Sequence, residues 1–321
     1  MPVPLIRPVT EADLDTVLDL VNRTRASDGI AEVLSIEELV DDLTGDQGDM
    51  ASDSLLVEVD DEVVGYAHTM YLPSEVRLER CYVIGLVHPE HRGVGLGRQL
   101  LGWAIDRAAE QLRSSGSDLP KYIRVDEYDF VESAHRLFAR MGFEPVRYFD
   151  QLLRPLTDLP PLERTEIEGI TITPWTEERS EEVRVVKNEA FADHWGSTPT
   201  SRARWETRMN ASTTRPDLSW IALNDDGAVI GYCINDRYEA DDATTGRKEA
   251  WIGGVGTLRD YRRRGTASAL MIRSLHAFAD DGLDHAILGV DSDNPTGAPS
   301  LYRGLGFEPH TRTITHEIRI E

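Results

Sequence analysis

The chain has 321 residues, 57 Asp and Glu against 34 Lys and Arg, and a formal net charge of −23. Twice the length of an ordinary domain predicts two domains, and the acidic surplus argues against the broad basic face of a general nucleic-acid binder. With Cys81 and Cys233 as its only cysteines, the chain cannot build a disulfide framework or a Cys-rich zinc site, and 40% hydrophobic residues exclude wholesale disorder.

Along the chain, the opening MPVPLIRPVTEADLDTV holds no apolar run of signal-peptide length, and no stretch reaches the ~18 apolar residues of a membrane span. A cytoplasmic protein with no membrane and no nucleic-acid partner is the expectation. Residues 55–59 and 63–67, joined at Asp60 and Asp61, read as a β-hairpin, and the continuous apolar run 82–87 reads as a buried strand. A glycine-rich turn then leads into a helix with Leu100, Leu101, Ala104, Ile105 and Ala108 along one side. A strand over 122–125 follows, and after it a helix that ends near Gly142. Residues 154–169 contain Pro155, Pro160 and Pro161 with little apolar periodicity, as in a linker.

Beyond that point the pattern starts again. Residues 6–11 return at 172–177, Val64-Gly65-Tyr66 returns as Ile230-Gly231-Tyr232, residues 92–97 return at 262–267, and residues 137–145 return at 301–309. A second hairpin joins 220–223 to 229–232. Four matches in the same order predict a tandem duplication: a domain over 1–154, a linker over 155–168 and a domain over 169–321. Each is expected to be an α/β unit around a mixed sheet.

The turn between strand and helix holds the chemistry. A helix N-terminus presents unpaired amides and the positive end of the macrodipole, and removing Cβ atoms lets a phosphate oxygen approach them. Arg92-x-x-Gly95-x-Gly97 and Arg262-x-x-Gly265-x-Ala267 both have this form. A P-loop motif is absent, and Arg98 stands where the dinucleotide pattern begun by Gly93-x-Gly95 needs its third glycine. No His, Cys, Asp and Glu spacing resembles a metal site.

Residues 87–97, ending a strand and opening a helix, and residues 254–267 resemble motif A of the GNAT N-acetyltransferase superfamily. Leu301-Tyr302-x-x-Leu305-Gly306-Phe307-Glu308 is similar to the later helix-to-strand motif of that superfamily. The resemblance spans nearly the whole chain and implies two tandem acyl-CoA-binding domains, acetyl-CoA as acyl donor and no metal. It places the donor's pyrophosphate at Arg92, Gly93, Val94, Gly95, Gly97 and Arg98 in the first copy. In the second copy it places the pyrophosphate at Arg262, Arg263, Arg264, Gly265, Thr266 and Ala267. The pantetheine arm would lie beside Gly85 and Val87, or Val255 and Thr257.

Acyl transfer to an amine needs a base for the nucleophile, a polarised carbonyl and a proton for the departing thiolate. The resemblance puts the proton-donating phenol at Tyr302, whose counterpart Phe138 has no proton to give, and puts Asn294 near the donor's arm, where the first copy has Phe130. The second copy is therefore expected to be catalytic and the first degenerate. Glu249, ahead of the strand of Val255 and Thr257, is the expected base, although Glu79 stands in the equivalent place by residue counting. Asp236, Glu239 and Asp193 are rivals. His194 and Trp195 would form an acceptor wall or simply pack as loop aromatics. The expected reaction is direct attack of a small molecule's primary amine on acetyl-CoA. The alternatives are a non-catalytic acyl-CoA-sensing module, or an acetyltransferase acting on a protein or peptide amine.

Overall fold

The computed structural model describes residues 4–44, 48–293 and 298–321. Two compact units emerge, one formed by Met1–Tyr148 with Thr313–Glu321 and the other by Phe149–Arg312. The first carries β1 (Leu5–Arg7), α1 (Leu14–Asp28), α2 (Ile36–Thr44), α3 (Met50–Asp53), β2 (Ser54–Val59), β3 (Glu62–Leu72), β4 (Glu79–Val87), α4 (Leu96–Ser114), β5 (Lys121–Tyr128) and α5 (Glu132–Arg140). After β6 (Glu144–Pro155) come β7 (Ile170–Pro174), α6 (Ser180–Ala190), α7 (Arg202–Asn210), β8 (Trp220–Asn224), β9 (Val229–Arg237) and α8 (Asp242–Thr245). The chain closes with β10 (Glu249–Thr257), α9 (Thr266–Asp280), β11 (His285–Asp291), α10 (Ala298–Gly304) and β12 (Glu308–Ile320).

In the first unit the strand order is β1-β2-β3-β4-β5-β12, antiparallel except for the parallel pair β4 and β5. Asp60 and Asp61 both take left-handed φ values, 51° and 65°, which matches the tight turn to the twist of the β2–β3 hairpin. The parallel pair needs a crossover, and α4 supplies it. Its Leu101, Ala104, Ala108 and Leu112 recur at helical spacing and bury against Cys81, Val83, Ile123 and Val125 of the two strands. The second unit repeats this plan in the order β6-β11-β10-β9-β8-β7. Its core sets Leu270, Met271, Leu275 and Phe278 of α9 against Ala250, Ile252, Ala286 and Leu288.

The domain boundaries differ from those expected. From Thr313 onward, β12 belongs to the first unit, pairing antiparallel with β5 from Thr313↔Tyr128 to Ile320↔Lys121. Ile318 and Ile320 pack on the Ile123 cluster, and Glu317 meets Arg124, which is only 2% exposed, so the strand closes that edge by burial and charge together. From Phe149 onward, β6 belongs to the second unit and pairs with β11. Residues 155–168 are docked rather than a free tether. Leu156, Leu159 and Ile167 pack on the second core, and His276 Nε2 donates to Pro160 O at 2.8 Å.

Candidate active site

In the second unit β10 and β11 pair from Glu249↔His285 to Ile252↔Leu288, after which β10 runs on unpaired on that side to Thr257. Leu258 N–H donates back to Ile230 O of the hairpin at 2.9 Å. Strand alternation therefore turns the main chain of Thr257 and Val255 to the opposite, open edge. The first unit forks in the same way, with β4 and β5 paired from Glu79↔Lys121 to Tyr82↔Arg124 and His88 N–H donating to Val64 O, which turns Val87 and Gly85 to the open edge. Each fork offers free peptide groups to an extended ligand.

The two forks are not identical. The β9–β10 ladder carries a bulge between Ile252 and Gly254, whereas β3–β4 runs unbroken from Leu72↔Arg80 to Gly65↔Val87. Bulges re-aim backbone groups and concentrate beside active sites. The bulge also corrects the equivalence of Glu249 with Glu79. Ala250 pairs with Arg237 as Cys81 pairs with Tyr71, and Ala250 and Cys81 both face the crossover helix, so Glu249 matches Arg80 instead. Glu249 is thus peculiar to the second copy.

Both copies set the amide ring in place. Gly95 and Gly265 cap α4 and α9 with φ of 103° and 89°, and neither helix has a side-chain cap. Ala269 N–H is the one that reaches Gly265 O, at 2.9 Å, and Gln99 N–H does the same with Gly95 O at 3.2 Å. The amides of Thr266, Ala267 and Ser268, and of Leu96, Gly97 and Arg98, are the orphans of their helices. Val94 is 60% exposed on the first turn, and Arg263 takes a left-handed φ of 61° where the first copy has Gly93 at 82°.

The side chains of the motif arginines bind within the protein. Arg92 Nε donates to Val87 O at 2.9 Å, and its two terminal nitrogens grip Asp28 at 2.7 Å each. Arg262 Nε donates to Thr257 O at 3.1 Å and its NH2 to Ala190 O at 2.9 Å. Their guanidinium groups hold the turn to the strand end rather than face a ligand, and the carbonyls of Val87 and Thr257 are taken by them. Arg264 is similarly spent, over the Tyr261 ring and toward Glu168 O.

Tyr302 lies on α10, 7% exposed, in the core cluster that also includes Cys233 and Leu288, with Val255 packed against it. Burial pushes its phenol up to about 12. Asn294 lies outside the described residues. Phe138 occupies the matching place in the first unit, where it packs with two imidazoles, His135 and His316, whose ring centroids are 5.0 Å apart. Those histidines escape sequence reading because His316 arrives on β12.

Glu249 is 5% exposed and its carboxylate is bound by Arg247 Nε, four residues before the bulge. Asp236, 3% exposed, pairs with Trp251 across the ladder and is bound by Arg208 NH2 at 2.6 Å. Burial raises its pKa from the usual carboxylate range. Its place over the bulge was hidden in the sequence, although the glycines Gly253, Gly254 and Gly256 in one strand signal a bulge or close approach. The His194 ring is tilted against Phe191 with centroids 4.3 Å apart, and burial lowers its pKa, with Arg262 nearby acting in the same sense. Trp195 packs at 6.4 Å from Phe149, and Asp193 is bound by Arg259. Among the described residues no cluster of His, Cys, Asp and Glu could hold a metal, and no helix is long and apolar enough to cross a membrane.

Residues 180–307 match the acetyltransferase (GNAT) family model and residues 51–145 an acetyltransferase (GNAT) domain model. The mycothiol acetyltransferase of Rhodococcus opacus is 31% identical, across 90% of this chain and 89% of its own length. That of Frankia alni is 29% identical, across 97% and 93%. A GCN5-related N-acetyltransferase from Sphaerobacter thermophilus superposes with a TM-score of 0.77 at 27% identity, over 98% of this chain and 95% of that one. The chain belongs to the GNAT acetyltransferase family.

It is a tandem GNAT acyltransferase. GNAT acetyltransferases use acetyl-CoA, and the residues here suit that donor: a forked strand edge for an extended arm, followed by orphan amides at a helix start for an anionic group. Both GNAT copies keep this cradle. Among the described residues, the second alone combines it with a bulge in the forked strand itself and a phenol, Tyr302, on the later helix, where the first has an unbroken β3–β4 ladder and Phe138.

Proposed function

We propose that the second unit moves an acetyl group from acetyl-CoA to a primary amine of a small molecule, and that the first unit is a donor cradle without turnover. The observation that carries this reading is the asymmetry between the copies, a bulge and Tyr302 in one against an unbroken ladder and Phe138 in the other. Amides of residues 263–267 hold the pyrophosphate, and the open edge at Val255 and Thr257 aligns the arm. Tyr302 is the general acid. Its phenol keeps its proton at neutral pH, and as the C–S bond opens it shares that proton with the sulfur.

A small-molecule acceptor is supported by relatives named for mycothiol acetylation. His194 and Trp195 stand on the loop after α6 as its wall. Thiol release from acetyl-CoA, followed across a panel of small amines and peptides, tests the reading. Turnover with small amines and none with peptides is expected. Turnover with peptides alone assigns a protein acceptor, and tight acetyl-CoA binding without any thiol release makes the chain a sensing module.

A further inference from the structure

The bulge residue Gly253 lies beneath a carboxylate. A Cβ built on Gly253 would run into Asp236 Oδ2 and come within 2.9 Å of Arg208 NH2, so with any larger residue there this ion pair has to shift. The peptide at Gly253 is exposed, whereas the aspartate above it is 3% exposed. Arg208 neutralises Oδ2, but Oδ1 is buried and has no hydrogen-bond partner among the described residues. A bare buried carboxylate oxygen costs roughly 1–3 kcal/mol, and more when charged. The fold does not require that cost: the first unit has Met70 where the second has Asp236, an unbroken ladder and the same sheet.

We propose that Asp236 is the general base of the second unit, with Oδ1 taking the proton of an acceptor ammonium brought to the bulge. The inference rests on the acetyl-transfer reading above. Asp236 accepts one proton from the ammonium, and the freed nitrogen attacks the thioester carbonyl carbon. The C–N bond forms, the C–S bond breaks, and the sulfur leaves with the proton of Tyr302. The second proton shed by the nitrogen restores the phenol, and Asp236 returns its proton to solvent.

Glu249 is less suited. It is bound by Arg247, and four residues of strand separate it from the bulge, roughly 13 Å. The groups facing Asp236 are Arg208 and Thr214, with Glu249, its partner Arg247 and Tyr232 further along the same side of the sheet. Burial pushes the Asp236 carboxyl up, and Arg208 is the charge that opposes that push.

The test compares ethanolamine, a cation at neutral pH, with hydroxylamine, which is largely uncharged there, using the full chain and following thioester loss. Asp236→Asn is expected to lower kcat/KM for ethanolamine by about 10²-fold or more. Hydroxylamine turnover should fall far less, the acid limb of the ethanolamine profile should flatten, and acetyl-CoA affinity should stay within about twofold. If the Asn variant does not fold, Arg208→Gln carries the same question, because losing the guanidinium moves the acid limb to higher pH. Equal losses with both amines and an unmoved limb overturn the assignment and leave Asp236 a structural partner of Arg208. Turnover of neither amine by the wild-type chain, with acetyl-CoA bound and no thiol released across the amine panel either, overturns the acetyl-transfer reading and the base with it.

Discussion

Tyr302→Phe separates chemistry from packing better than most substitutions, because the first copy already holds Phe138 at the matching place with its core intact. The ring keeps its contacts in the Leu288 and Phe307 cluster and only the hydroxyl is lost. A phenol at about 12 is a weaker acid than a thiol, so in the proposed mechanism its help to the departing sulfur comes chiefly as the bond breaks. We expect kcat to fall by roughly 10²-fold, toward the low end for general acids, with acetyl-CoA affinity by calorimetry nearly unchanged. Wild-type kcat would remove Tyr302 from the mechanism. In the first unit a buried histidine contributes to behaviour in acid, against the raised carboxyls of Asp42 and Glu127. His68 is 2% exposed, bonded to Tyr66 Oη through Nδ1 at 2.8 Å, and burial lowers its pKa from 6.5 to about 4. Between those values the unfolded chain binds a proton that the folded chain refuses, so stability is lost as pH falls from about 6.5 toward 4. By pH 5 the loss is about 2 kcal/mol. Asp42, pushed up to about 6, acts in the opposite sense, so the readout is a difference. Amide exchange in β3, compared at pH 7.5 and 5, should show His68→Gln losing this acid sensitivity; equal sensitivity in both proteins would clear His68 of it.

At the scale of the element, the strand, turn and helix of each copy were legible because they are local and periodic. Both hairpins, the apolar stripe of α4 and the glycine turns follow from residues within a few positions of one another. The bulge did not, because an extra residue inside Gly253-Gly254-Val255-Gly256 leaves no mark on a count between copies. That single residue shifted the expected partner of Glu249 from Arg80 to Glu79. The side-chain partners of the motif arginines were not legible for a related reason: Asp28 and the carbonyl of Ala190 lie far off in sequence. The turns themselves make a prediction. A Cβ on Gly265 would find no protein atom closer than 3.8 Å, and one on Gly95 none within 4 Å, so a larger side chain meets little but the left-handed backbone and the ligand's space. Gly265→Val should abolish both acetyl-CoA binding to the second copy and turnover, measured by calorimetry and thiol release. Gly95→Val should spare turnover. If the Gly95 change alone abolishes it, the roles of the copies are reversed.

For the whole molecule, the duplication was legible and its boundaries were not. The alternation of Ile314, His316, Ile318 and Ile320 marks β12 as a strand but says nothing of which sheet receives it. The decision is made by distant groups: the ion pair of Glu317 and Arg124 at 3.0 Å, the bond from Thr315 Oγ1 to Asp126 at 2.5 Å, and the packing of Ile318 and Ile320 near Ile123. Deleting residues 313–321 should therefore weaken the unit that does not contain the neighbouring sequence. It strips β5 of its antiparallel partner and leaves Arg124, 2% exposed, without the carboxylate of Glu317. Removing one partner of a buried charge is destabilising, and the lost apolar burial adds to it. Hydrogen exchange should quicken through β2, β3, β4 and β5 while β8, β9, β10 and β11 keep their protection. Glu317→Ala should reproduce part of the same pattern without shortening the chain. Equal loosening of both units, or protection retained in β5, would show that the last strand is not what completes the first sheet.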